Sequence, residues 1–123
     1  MNTYKQHFDL ANERFQAAED LLKKEKYHTA AHLFINAAIN YHNALCQKFL
    51  NKIPSHKPHS DISSYFNELS RFLGEDSKKY RDAYEFLIAN KSQADYGVYF
   101  SVSMAKQIER KANKIKEIAE MHL

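Results

Sequence analysis

The chain has 123 residues, of which only 2 are glycine and 2 are proline, and its net charge is +3. A β-sandwich or barrel needs a Gly or Pro turn roughly every 8–12 residues, and a Rossmann or P-loop phosphate site needs clustered glycines, so both classes are excluded. The charge falls short of that of a dedicated nucleic-acid binder with a concentrated basic stripe. We therefore expect an almost entirely helical chain.

The apolar content is typical of a small domain with its own core. Hydrophobic residues make up 44% of the chain, and a mass of 14.4 kDa fits one domain over residues 1–123. No apolar run approaches the ~18 residues of a membrane-spanning helix, and Met1–Leu10 lacks the apolar stretch of a signal peptide. The single cysteine, Cys46, predicts a reducing, cytoplasmic location.

Two long helices are predicted in the first 50 residues. One apolar stripe predicts a first helix over roughly 3–25; its members are Tyr4, Phe8, Ala11, Phe15, Ala18 and Leu22. A second helix is predicted over Tyr27–Leu50, with two apolar stripes. Such a helix lies either at the centre of a bundle or in a dimer interface. Because the two stripes suggest more apolar surface than one small bundle can cover, we predict a homodimer.

Two prolines interrupt the helical pattern after the second helix. Pro54 and Pro58 bracket a segment that cannot be helical throughout, and we predict a loop there. A third helix is expected to start at a cap formed by Ser60 or Asp61. It should end at Gly74, because glycine readily adopts the left-handed conformation that often ends a helix.

The remaining chain predicts two more helices separated by a loop. A fourth helix restarts at Asp76 or Ser77, and the apolar pattern then lapses from Asn90 to about Ser101, where we expect an extended loop. The last helix follows, capped by Ser101 or Ser103. Its predicted core face consists of Ala105, Ile108, Ala112, Ile115 and Ala119. The predicted fold class is therefore all-α, an up-and-down bundle of four to five helices.

Two loops carry the candidate binding residues. His56, Lys57 and His59 form a small basic cluster that either contacts phosphate or is a solvated connector. Between the last two helices, Lys91, Asp95 and Tyr96 place polar groups where binding residues often gather. The alternative for this second loop is structural, with Asp95 capping a turn and the Tyr96 ring packed into the bundle.

Other titratable residues are given structural interpretations. His28 and His32 are four residues apart, as are His42 and Cys46, and each pair has the spacing of two metal ligands on one helix. No third ligand is evident, so we favour surface or interface histidines with a buried thiol and predict no metal and no cofactor. Three basic residues of the last helix lie on one face, and we predict that this face is an ordinary solvated surface. They are Lys106, Arg110 and Lys114.

Three segments in a fixed order resemble the HEPN domain (higher eukaryotes and prokaryotes nucleotide-binding), especially its small stand-alone prokaryotic branch. The first is Leu21-Leu22 before a charged turn, followed by Tyr27 and Ala30-Ala31. The second is Ser55-His56-Lys57, and the third is Lys91-Ser92-Gln93-Ala94-Asp95-Tyr96 followed by Ser101-Val102-Ser103.

The resemblance implies a bundle of four or five helices that is commonly homodimeric. It also implies a toxin–antitoxin context, because members are often encoded beside a minimal nucleotidyltransferase. Active members are metal-independent ribonucleases with an arginine, four to six intervening residues and a histidine near the start of the last helix. In such a pair, imidazole moves a proton while guanidinium holds the phosphate.

The sequence departs from that arginine–histidine motif. No histidine follows Arg14, Arg71, Arg81 or Arg110 at the required spacing, and Lys91 stands where relatives commonly have arginine. We therefore predict no catalytic residue and a non-catalytic protein that binds a nucleotide, RNA or a nucleotidyltransferase partner. The alternatives are a ribonuclease with a non-standard active site, using His56 or His59, and a pure protein-interaction module.

Overall fold

Helices account for nearly all of the residues that the structure describes, as the scarcity of glycine and proline predicts. The structure is a computed structural model that describes residues 3–52, 58–97 and 100–123, without the side chains of 58–64 and 96. The predicted all-α bundle is confirmed, since no strand is present in these ranges. Its helices are α1 Tyr4–Lys23, α2 Tyr27–Leu50, α3 Pro58–Leu73, α4 Ser77–Ala89, α5 Lys91–Tyr96 and α6 Val102–His122.

The first two helices form an antiparallel hairpin. Thr3 begins α1 with a capping box, in which its backbone N–H donates to Oε1 of Gln6 at 2.9 Å and its hydroxyl accepts from the Gln6 backbone. Glu25 takes a left-handed conformation, with φ of 61°, and the chain reverses there. The rings of Phe15 and Phe34 then meet edge to face, with centroids 5.2 Å apart. Both helices end within two residues of their predicted bounds.

Helix α2 is the centre of the bundle. Its two apolar stripes are largely buried, since Phe34, Tyr41 and Leu45 on one and Ile35 and Cys46 on the other are at most 1% exposed. Ile39 and Phe49 of the second stripe are only partly buried. Helices α1 and α6 pack along it, and α3, α4 and α5 contact it as well. One chain therefore covers most of both stripes, so the two stripes alone do not require a dimer.

The third helix begins earlier than predicted. Its first residue is Pro58 rather than a residue after Ser60 or Asp61. Proline suits the first helical position because its fixed φ is already helical and its missing N–H would have no partner there. The helix ends before Gly74, whose φ of 59° is left-handed as predicted, and α4 starts at Ser77.

The segment predicted as an extended loop after Asn90 contains the short helix α5. The backbone N–H of Ala94 donates to the carbonyl of Asn90 at 3.1 Å, and that of Gly97 donates to the carbonyl of Gln93 at 2.9 Å. A Cβ at Gly97 would lie 2.6 Å from the Gln93 carbonyl oxygen, so this end of the helix needs glycine. Six residues make less than two turns, which is too short for an apolar period to appear in the sequence.

The last helix has the predicted start and core face. The hydroxyl of Ser101, one of the two predicted caps, accepts from the backbone N–H of Met104 at 3.1 Å. Every predicted core residue is buried; these are Ala105, Ile108, Ala112, Ile115 and Ala119. Among the described helices, none is long and apolar enough to cross a membrane.

Candidate functional site

A polar cluster joins α5 to α2 at the surface of the bundle. On α5, Nζ of Lys91 donates to Oδ2 of Asp95, one turn further along. From α2, Nδ1 of His32 donates to Oδ1 of Asp95 at 2.6 Å. Nε2 of the same ring accepts from Nδ2 of Asn36 at 3.0 Å. One neutral tautomer of His32, with its proton on Nδ1, satisfies both contacts.

A second histidine of α2 also binds α5. Nε2 of His28 donates to the backbone carbonyl of Ala94 at 2.6 Å. Its ring stacks on Phe100, with centroids 5.6 Å apart and planes inclined by 29°. Because Ala94 itself is buried against the core, α5 is held to α2 by an apolar contact and by two histidines four residues apart.

The Asp95 carboxylate is the electrostatic centre of this cluster. Burial alone would raise its pKa, but the hydrogen bonds and charges of Lys91 and His32 lower the pKa below its usual value. Asp95 is thus ionised at neutral pH. The carboxylate is 12% exposed, whereas Lys91 is 30% exposed and His32 is 43% exposed. A ligand can therefore reach the ammonium and the imidazole, with the carboxylate behind them.

The geometry favours binding over proton transfer. An imidazole held by a carboxylate resembles the base and orienting group of a nucleophilic site. In such a site the outer ring nitrogen is open to substrate, but here Nε2 of His32 already accepts from Asn36. The groups of the cluster can instead donate to phosphate oxygens, through Lys91, and hydrogen-bond to the edge of a base.

The structure brings together some of the predicted site residues. Lys91 and Asp95 share one face of α5 and contact each other. Tyr96 is the last residue of that helix, but its side chain lies outside the described part of the structure. His56 and Lys57 also lie outside the described residues. The carboxylate of Asp95 binds Lys91 and His32 rather than capping a turn, while the Tyr96 ring of the structural alternative lies outside the described side chains.

Sequence reasoning missed the contribution of α2 to this cluster. From the sequence, we consider His28 and His32 as a possible ligand pair and favour surface or interface histidines, and we do not include Asn36. The available signal was their spacing, because positions 28, 32 and 36 follow one face of a helix. What the sequence does not show is that this face lies against α5, more than 60 residues away.

The pair of His42 and Cys46 lies in the core rather than at the surface. His42 is 2% exposed, its Nδ1 is 2.5 Å from the Tyr80 hydroxyl, and its Nε2 is 3.6 Å from Sγ of Cys46. Its ring packs 4.4 Å from that of Tyr84. Burial lowers the pKa of His42 to about 3 and raises the pKa of Cys46 to about 12, so both are neutral at physiological pH. This cluster is structural, and a neutral imidazole satisfies both neighbours.

The described residues hold no group of three or more His, Cys, Asp or Glu side chains arranged to bind a metal ion. Comparison with known proteins gives one match. The family model of the HEPN domain matches residues 4–122, whereas no curated protein and no solved structure matches the chain. The match runs through every helix described above, including the α2 and α5 residues of the polar cluster. The chain therefore belongs to the HEPN domain family.

Proposed function

We propose that this protein is a non-catalytic HEPN domain that binds a nucleotide or RNA at the surface where α5 packs on α2. The observation that carries the proposal is the Asp95 carboxylate, which gathers Lys91 and His32 into one polar cluster beside Asn36. Family membership supports a nucleotide or RNA as the ligand. The lack of an arginine–histidine motif supports binding without cleavage.

Each group of the cluster has a distinct role in this proposal. Lys91 contacts a phosphate as a point charge, since an ammonium lacks the planar fork of arginine. Asn36 gives one amide hydrogen to His32 and keeps the other, together with its Oδ1, for a base or a sugar hydroxyl, as single-stranded RNA and free nucleotides require. Both ring nitrogens of His32 are engaged, so His32 offers the face of its ring. Asp95 holds both Lys91 and His32 in place. Because its carboxylate is negatively charged, it repels a phosphate that lies directly above it.

Binding of a fluorescently labelled single-stranded RNA and of a labelled nucleotide, followed by anisotropy, tests the proposal. Lys91→Ala should weaken binding about tenfold, the effect of one charge-assisted contact. The matched control is Lys116→Ala, because Lys116 is also 30% exposed and also pairs with an acid four residues away. The control should bind like the unmodified protein. Unchanged binding by Lys91→Ala, His32→Asn and Tyr96→Ala would contradict the proposed site.

A second candidate function is a metal-independent ribonuclease with a non-standard active site. The His32–Asp95 contact favours it, because a carboxylate that orients an imidazole is a common feature of proton transfer. The sequence had suggested His56 or His59 as the proton carrier. Incubation of purified protein with total RNA decides this, with His32→Asn, His56→Ala and His59→Ala as comparisons. Absence of cleavage at large protein excess would exclude the ribonuclease.

The cellular context is a separate part of the proposal. A toxin–antitoxin pair with a minimal nucleotidyltransferase, and a homodimer of this chain, are what the family resemblance implies, and the single cysteine favours the cytoplasm. Co-purification with the product of a neighbouring nucleotidyltransferase gene tests the partner. A protein that captures that partner but binds no nucleotide or RNA would be a pure interaction module.

A further inference from the structure

A groove between α4 and α6 lies apart from the polar cluster. It encloses about 610 Å³, a volume within the usual range of small-molecule sites. Its walls come from two helices that lie side by side: His122, at the end of α6, is 3.3 Å from Asp76, which directly precedes α4. The residues that line it are Lys79, Asp82 and Ala83 on α4 and Gln107, Arg110, Lys111 and Lys114 on α6.

The lining is strongly cationic. Four of its seven residues are lysine or arginine, and one is acidic. That acid, Asp82, accepts from Nζ of Lys78 at 3.0 Å, so its charge is compensated by a lysine outside the groove. Lys114 lies 3.4 Å from Glu117. Within the described residues, Lys79 and Arg110 have no ion-pair partner, so both walls carry an uncompensated cation.

Apolar side chains lie beneath and beside the cations of the groove. Ala83, which is 2% exposed, contributes an apolar floor between the helices. Nζ of Lys111 lies 5.7 Å from the centre of the Phe86 ring, and this contact helps position its ammonium. Arg110 and Lys114 are one helical turn apart, so their side chains lie on the same wall.

We propose that this groove binds a compact ligand with two or more adjacent phosphates. Cations on two facing helices converge on one small volume, and a multiply charged phosphate chain is the compact ligand that matches them. Arg110 adds a planar fork that can hold phosphate oxygens bidentately. The described lining residues include no aromatic ring on which bases could stack, so the phosphates rather than a base are recognised.

This inference does not rest on the proposed function, because the groove and the α5–α2 cluster share no residue. The same phosphate chemistry is offered by an inorganic polyphosphate and by a nucleoside triphosphate. Isothermal titration with inorganic tripolyphosphate and with ATP at physiological salt compares the two sources. Equal affinities would mean that the phosphate chain alone is recognised, and tighter ATP binding would mean that the nucleoside adds contacts beside it.

The variants test one wall at a time. Lys79→Gln on α4 and Arg110→Gln on α6 should each weaken tripolyphosphate binding about fivefold or more, because each removes one charge-assisted contact. Both residues are exposed, so neither change should unfold the protein. Lys106→Gln is the matched control, since Lys106 lies one turn before Arg110 on α6 but outside the groove. Its affinity should stay within about twofold.

Two results would overturn the inference. One is tripolyphosphate binding that is equally strong in Lys79→Gln, Arg110→Gln and the unmodified protein. The other is sulfate binding as tight as tripolyphosphate binding, because the groove would then attract any small anion. In the first case Lys91→Ala locates the binding: tripolyphosphate affinity that falls in Lys91→Ala but not in Lys79→Gln or Arg110→Gln would assign the phosphates to the α5–α2 site, so failure of the groove and failure of that site are separate outcomes.

Discussion

Burial keeps the imidazole of His42 in its neutral form. Its ring lies among Phe66, Tyr80 and Tyr84, and no charged side chain is within hydrogen-bond distance of either ring nitrogen in the described structure. The neutral imidazole donates through one nitrogen and accepts through the other, while the Tyr80 hydroxyl and the Cys46 thiol can each take the complementary role. A protonated ring would need two acceptors and would carry a buried charge.

The burial of His42 predicts a loss of stability in mild acid. In the unfolded chain its pKa is 6.5, whereas burial lowers the folded pKa to about 3. Below pH 6.5 the unfolded state therefore binds the proton and the folded state does not, so the free energy of unfolding falls as the pH falls. Between about pH 7 and pH 5 this residue should account for a loss of about 2 kcal/mol. Urea denaturation at both pH values measures it.

The control for His42 is a ring that cannot titrate. His42→Phe keeps the aromatic packing and should show a smaller loss of stability between the two pH values, although it is less stable overall because Tyr80 and Cys46 lose a partner. Equal losses in both proteins would contradict the prediction. The His42 ring protons in NMR spectra give a second measure, since they should not titrate in this range.

At the scale of single elements, the sequence predicted the long helices and missed the short one. Helices α1, α2 and α6 carry apolar residues over five or more turns, so their period is clear. Helix α5 has six residues and one buried alanine, Ala94, and no period can be read from it. Its helical form depends on packing against α2, which a local pattern does not contain.

The candidate site was likewise predictable only where its residues lie on one segment of the sequence. Lys91 and Asp95 were identified because they lie close together in the sequence. Their partner His32 is 63 residues from Asp95, and the contact exists only after α5 has packed on α2. The sequence thus indicated the half of the site that lies on one segment, while the other half depends on tertiary structure.

The start of α6 offers a test of a single capping residue. Ser101 and Ser103 were equally good candidates in the sequence, but only the hydroxyl of Ser101 accepts a backbone N–H, that of Met104. Ser101→Ala should therefore lower the free energy of unfolding by about 1 kcal/mol. Ser103→Ala should change it by less than about 0.5 kcal/mol, because Ser103 is exposed within the first turn. Urea denaturation of the two variants should separate them, and similar losses would mean that the cap is not decisive.

At the scale of the whole molecule, the middle of α2 is not available for a dimer interface, because it is buried within one chain. Large apolar side chains are instead exposed at the end of the bundle where α1 begins and α2, α3 and α6 finish. Lys48 connects them, since its Nζ lies 5.1 Å from the Tyr4 ring and 5.4 Å from the Phe49 ring. Phe49 stacks on Phe72 at 4.8 Å. Tyr4 is 37% exposed, Phe72 is 44% exposed and Met121 is 72% exposed.

The homodimer implied by the family resemblance should therefore form through this end. A two-fold interface places the same patch on both subunits, so one substitution changes it twice. At micromolar concentration, sedimentation equilibrium should give twice the 14.4 kDa mass of one chain. Phe72→Glu should shift the protein towards the monomer, because it buries like charges in the interface. Its melting temperature should fall only by the small amount expected from losing the Phe49 stacking and the dimer contacts, because the core residues are unchanged.

Val102 provides the matched control for that substitution. It is 41% exposed, nearly as much as Phe72, but it begins α6 and so lies at the end of that helix opposite to Met121. Val102→Glu should leave the mass unchanged. A monomeric mass for the unmodified chain would refute the dimer itself, whereas a dimer that persists in Phe72→Glu would refute this interface and leave the dimer in place. The two results separate the oligomeric state from the surface that forms it.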